Sequence, residues 1–239
     1  MKLQALLLSS LLLPLGHAFA TEPDPLEAVL PRLAAYETRM QQVYGNWGYT
    51  ILKVQEQLDE DGRVKSTAQS RARWKKEEGR RVQELVEYLV DGRDETAAER
   101  TRREKKSQKQ GGSNKTLALD SVRSPFLPEE QPKYHFHAAP VEGDPTLLRI
   151  GFEPVVAASE ELLQGEATVR RAEGEPVTLT CRPAKLPSFV DELRLDVRFD
   201  AATPQGPAFS SLKVTGEGGF LFIRKRFRVT VTMQEYAPL

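Results

Sequence analysis

Apolar and polar residues alternate at period two through most of this chain, interrupted by turns that carry Gly and Pro. That pattern predicts antiparallel strands buried on one side. The clearest run sets Leu193, Leu195, Val197 and Phe199 against Arg194, Asp196, Arg198 and Asp200. A second sets Phe227, Val229, Val231 and Met233 against Arg226, Arg228, Thr230 and Thr232. Between Lys133 and Leu186 four strands follow one another: Tyr134–His137, Leu147–Phe152, Glu166–Arg171 and Val177–Arg182. Nearer the start, Trp47–Leu58 reads as a strand with Trp47, Tyr49, Ile51 and Lys53 on one face. Asp59-Glu60-Asp61-Gly62 turns it back into Arg63–Lys76, and Glu77-Glu78-Gly79 leads to Arg81–Val90, ended by Asp91-Gly92. Late in the chain, Ala208–Thr215 predicts a short strand, and Gly216-Glu217-Gly218-Gly219 predicts a turn into Phe220–Thr232.

One stretch has helical period instead. Leu26, Val29, Leu30, Leu33, Met40 and Val43 form a stripe over Pro25–Tyr44. Asp24, Pro25 and Glu27 suit a helix start, Pro31 predicts a kink, and Gly45 predicts a left-handed stop. A sheet with one apolar face has to be covered, so this stripe is expected against that face, with Leu33 and Met40 walling a cavity. The span Asp94–Lys115 differs again. It carries Arg100, Arg102, Arg103, Lys105, Lys106, Lys109 and Lys115 and no apolar residue larger than Ala. Without a stripe it predicts a solvated helix or an excursion, or else an electrostatic contact with a membrane surface or an acidic partner.

Charge and composition narrow the function. Lys plus Arg and Asp plus Glu both number 34, so the overall balance does not point to nucleic acid. Lys2, the apolar run Leu3–Leu15 and the small-x-small Ala18-Phe19-Ala20 predict a signal peptide over 1–20 and export to the periplasm, with an uncleaved anchor as the other reading. One domain over 21–239 is expected. Cys181 is the only cysteine, so no internal disulfide is possible; its alternation with Leu179 predicts a core residue rather than a reactive thiol. No Ser-His-Asp set, phosphate-binding Gly loop or zinc-protease motif is present. His135 and His137, about 7 Å apart on one strand face, lack a fixed third ligand, so surface histidines are expected rather than a metal site. A binding protein is therefore expected, not an enzyme, with no cofactor and as a monomer.

The order of parts resembles the lipoprotein-carrier superfamily, which includes LolA, the outer-membrane lipoprotein-sorting proteins and a periplasmic envelope-stress sensor. The resemblance rests on Trp47–Trp74, Leu89-Val90-Asp91-Gly92-Arg93, Tyr134-His135-Phe136, Leu148–Pro154, Gly165-Glu166-Ala167 and Pro187-Ser188-Phe189. It implies an α+β fold: one strongly curved antiparallel half-barrel, its concave face covered by an N-terminal helix and short helices. It further implies acyl chains of a lipoprotein or other lipid held between sheet and helices. Arg71 or Arg73 stands nearest the position of the carrier's lid arginine. Trp47, Tyr49, Ile51 and Trp74, with Leu33 and Met40, are the expected cavity lining, or else plain core packing. The alternative function is an envelope module that docks a membrane-protein partner, with Arg100, Arg102, Arg103, Lys105 and Lys106 as the contact.

Overall fold

The computed structural model describes residues 25–110, 123–220 and 223–239. The expected leader, Asp24 and Lys115 lie outside the described residues. Helix α1 spans Pro25–Asn46 and continues through Pro31. Its buried residues Val29, Leu33, Tyr36, Met40 and Val43 recur in steps of four and three, so one stripe meets the sheet along the whole helix. Gly45 does not supply a left-handed stop: it lies in the last turn of α1, and the glycines of positive φ are elsewhere. The carbonyl of Asn46 accepts instead from the N–H of Leu239 at 3.1 Å, so the far end of the chain satisfies the helix end.

Strands β1 (Trp47–Leu58), β2 (Val64–Glu77) and β3 (Arg80–Val90) follow as a meander, with β4 (Arg93–Asp94) and helix α2 (Thr96–Gln110) after it. A 3-10 turn at Gln131–Lys133 leads into β5 (Tyr134–Val141), β6 (Asp144–Pro154), β7 (Leu163–Arg170), β8 (Pro176–Pro183) and β9 (Val190–Arg198). A ribbon of β10 (Ala201–Thr203) and β11 (Gly206–Ala208) precedes β12 (Ser211–Phe220) and β13 (Ile223–Pro238). The main sheet has 11 antiparallel strands in the order β4-β3-β2-β1-β13-β12-β9-β8-β7-β6-β5 and is not closed. The first strand lies against the last, from Trp47 opposite Pro238 to Leu58 opposite Arg226.

One face of this sheet is apolar. Leu148, Ile150, Phe152, Ala167, Cys181, Leu195, Val214 and Val229 form a single core with the α1 stripe. The other face carries ion pairs such as Arg149–Glu166, Arg226–Glu217 and Arg228–Glu56. Leu195 and Val229 are buried and Val197 and Val231 half-buried, as the alternation predicts.

The glycine run departs from expectation. Gly216, Gly218 and Gly219 lie inside β12, which continues to Phe220. A Cβ at Gly216 would come 2.5 Å from the Phe227 ring, and one at Gly218 would come 2.3 Å from the carbonyl of Phe189. The glycines make room for close neighbours, and Gly218 sits at an irregularity in the β12–β9 register. Neither neighbour is adjacent in sequence, so a local turn rule misreads the run.

Leu33 is 0% exposed and packs in the core. Leu33→Ala is expected to cost about 2–5 kcal/mol in urea unfolding, through the cavity it leaves. Burial pushes the Cys181 thiol up to about 12, with Asp196 adding to the effect. Cys181 is therefore expected to resist iodoacetamide at pH 8 in the folded protein and to react once the chain is unfolded in urea.

Candidate functional site

Helix α2 has no apolar stripe to seat it, and polar bonds hold it to the edge of β3. The carboxylate of Asp94 accepts the N–H of Thr96 at 2.8 Å. The Thr96 hydroxyl oxygen accepts the N–H of Tyr88 at 2.8 Å, and the N–H of Glu95 donates to the carbonyl of Tyr88 at 2.9 Å. One turn later the Arg100 guanidinium donates twice to the carbonyl of Leu85, at 3.2 and 2.8 Å. Strand β4 occupies only Leu89 and Val90 of β3, which leaves those backbone groups open to the helix.

A charged underside cannot be dried against a sheet without cost. Between α2 and the meander there remains a cavity of about 500 Å³. The sheet contributes Ile51, Lys53, Ser70, Ala72, Gln83 and Tyr88 to its lining; the helix contributes Glu99, Arg102, Arg103 and Lys106. Glu99 is largely buried, and its carboxylate is shared by the guanidiniums of Arg102 and Arg103. Lys53 is half-buried and forms no ion pair or hydrogen bond among the described residues. Its cross-strand neighbours are Ser70 and Val231. Burial holds its ammonium below the ordinary lysine range, and the charge of Arg103 lowers it further. Cations thus exceed carboxylates at the base of this cavity, while Ile51, Ala72 and Tyr88 give it an apolar side.

Ile51, expected to line a ligand cavity, and Arg102, Arg103 and Lys106, expected at a partner contact, converge on this one space. Arg100 serves as an anchor of the helix, and Lys105 is exposed. Tyr49 and Trp74 meet as tilted rings, 6.4 Å between centroids, but the chain's own Arg81 occupies their faces, 4.1 Å from the Trp74 centroid and 5.3 Å from that of Tyr49. Arg81 also donates to the carbonyl of Trp47 at 3.4 Å. Trp47 is half-buried against the core, and Leu33 and Met40 are buried inside it. Arg71 and Arg73 alternate with Ala72, so they face away from the cavity, toward Glu87 and Glu235 at 4.0 and 3.9 Å. His135 and His137 are exposed opposite Glu153 and Gly151; among the described residues no three His, Cys, Asp or Glu are placed to hold a metal. Lys53 was not among the expected site residues. Its signal was a lysine in the face row of Tyr49 and Ile51, where the other members are apolar.

No family model matches the chain, and no curated protein matches it. Three solved structures superpose loosely. A DUF1329 family protein from Desulfovibrio piger has 10% identity and a TM-score of 0.36, covering 90% of this chain and 93% of its own. MucB in complex with MucA(peri) has 10% identity and a TM-score of 0.19, covering 86% of this chain and 98% of its own. The MucA/MucB complex of Pseudomonas aeruginosa has 10% identity and a TM-score of 0.21, with the same two shares. At these scores the account of the fold rests on this chain's own strand order. No described helix is long and apolar enough to cross a membrane.

Lys53→Met is expected to raise the urea midpoint at neutral pH, because it removes a half-buried cation that has no counterion. The folded-state pKa of Lys53 is lowered, so the unfolded chain holds the extra proton between the two values. The wild type therefore gains stability as pH rises through that window. The gap between the two proteins should narrow in alkaline buffer, which parallel unfolding curves at pH 7 and 10 would measure.

Proposed function

We propose that this chain is a periplasmic envelope protein that docks an acidic segment of a membrane-protein partner in the cavity between α2 and the meander. The observation that carries this reading is Lys53, a half-buried ammonium without a carboxylate, facing Arg103 beneath a helix whose only lining acid is already shared by two guanidiniums. An incoming carboxylate would offset the desolvation that the ammonium now bears alone. The leader-like start of the chain supports the compartment. Docking of MucA is what the MucB structures display for MucB; for this chain the reading rests on the cations of the cavity.

A second reading, an acylated ligand with an anionic head, is favoured by Ile51, Ala72 and Tyr88 beside those cations. The core under α1 offers it less, since Leu33 and Met40 are already enclosed by side chains.

The test is capture from detergent-solubilised membranes with tagged wild type and with Arg102→Glu/Lys106→Glu, a variant that keeps the Arg103–Glu99 pair. Wild type is expected to retain a stoichiometric protein, with retention falling roughly tenfold in the variant and also in high salt. Recovery of lipid alone, identified by mass spectrometry after extraction, would overturn docking in favour of the acyl reading.

A further inference from the structure

Among the described residues the edge of the sheet beside α2 is left unfinished. β3 runs over Arg80–Val90, yet among the described residues β4 pairs only with Leu89 and Val90. Arg100 and the start of α2 then take up backbone groups of Leu85 and Tyr88. The carbonyl of Leu85 points away from β2, since Arg100 reaches it. Alternation along an antiparallel strand turns the N–H and C=O of Gln83 and Arg81 the same way. No described backbone group meets them there. Among the described residues about four residues of β3, Arg81–Glu84, therefore remain open, roughly 13 Å, enough for a short strand.

We propose that an acidic, extended segment of the partner adds to the sheet as a short strand along β3 from Arg81 to Glu84, stopping where Arg100 brackets Leu85. This rests on the reading of the α2 cavity as an acidic docking site and specifies how the segment is held. Charge complementarity names the occupant. Gln83 of the edge shares the cavity lining with Arg102, Arg103 and Lys106 of the helix, and Lys76 and Arg80 stand with Glu77 at the β2–β3 hairpin. Gln83 belongs both to the open edge and to the cavity lining, so alternate side chains of an added strand enter on the cation side. The intervening side chains meet Val82 and Glu84, whose carboxylate is paired with Lys75 at 3.4 Å, which asks for small uncharged residues there. Main-chain bonds supply affinity in this mode, and the alternating side chains supply selectivity. The opposite edge, β5, offers less: it contains Pro140, which has no N–H to give.

The probe is a blocked eight-residue peptide of alternating Glu and Val, with a version N-methylated at alternate residues as its partner. Gln83→Pro removes one outward N–H and leaves the β2–β3 ladder its bonds, because proline is tolerated where the N–H faces solvent. A thermal melt establishes that this variant folds; if it does not, the N-methylated peptide on wild type carries the same comparison. Expected are slowed amide exchange at Arg81 and Gln83 on binding, and about tenfold weaker binding with either Gln83→Pro or the methylated peptide. Binding that is lost in Lys53→Met yet unchanged by both backbone modifications would overturn strand addition while leaving the cavity reading intact. No binding of the unmodified peptide to wild type, at low salt, would overturn both.

Discussion

The ladder between β1 and β13 is the interaction on which the rest of the molecule depends. β1 is the inner strand of one meander and β13 the last strand of another, and no other pairing joins the two. Its partners are more than 160 residues apart in sequence, for example Leu58 and Arg226. Closing such a loop is entropically costly, and hydrogen bonds and side-chain contacts have to offset it together. The contacts are of both kinds. On the polar face Glu56 meets Arg228, and buried Thr50 donates to the Glu235 carboxylate at 2.6 Å. On the apolar face Ile51 lies opposite Met233. Because β1 also carries Lys53, the base of the candidate site is positioned by this seam.

The two helices show how differently a helix can be attached to one sheet. α1 is seated mainly by burial of Val29, Leu33, Tyr36, Met40 and Val43 in the core, with Arg32, Tyr36 and Arg39 adding bonds to backbone carbonyls beside it. α2 is seated by donors and acceptors at a strand edge, with Arg100 acting as a bracket. A bracketed helix stands off from the surface it crosses. The cavity beneath α2 is thus a consequence of its composition, as the apolar core beneath α1 is of its own.

Much of the architecture was legible because it follows from local pattern. β1 begins and ends where the alternation does, and Gly62 and Gly79 take the positive φ that their hairpin turns require. Gly216 and Gly218 were misread because the reason for them, Phe227 and Phe189, comes from other strands. The candidate site was half legible. Arg102, Arg103 and Ile51 could each be singled out by residue type, but their meeting depends on where a two-residue β4 releases the chain. Lys53 broke its face pattern in plain sight, and only the structure shows that nothing among the described residues answers its charge.

The seam also imposes an order in time. A chain that is made, or threaded through a membrane, N-terminus first presents β1 and β12 before their shared neighbour exists. Each meander can assemble from its own hairpins, but until residues 223–238 arrive both strands keep a bare margin, the kind of surface that invites pairing with the wrong chain. The support beneath Lys53 is completed only by that last strand. A chain interrupted before β13 would lack both the seam and the finished surface around Lys53.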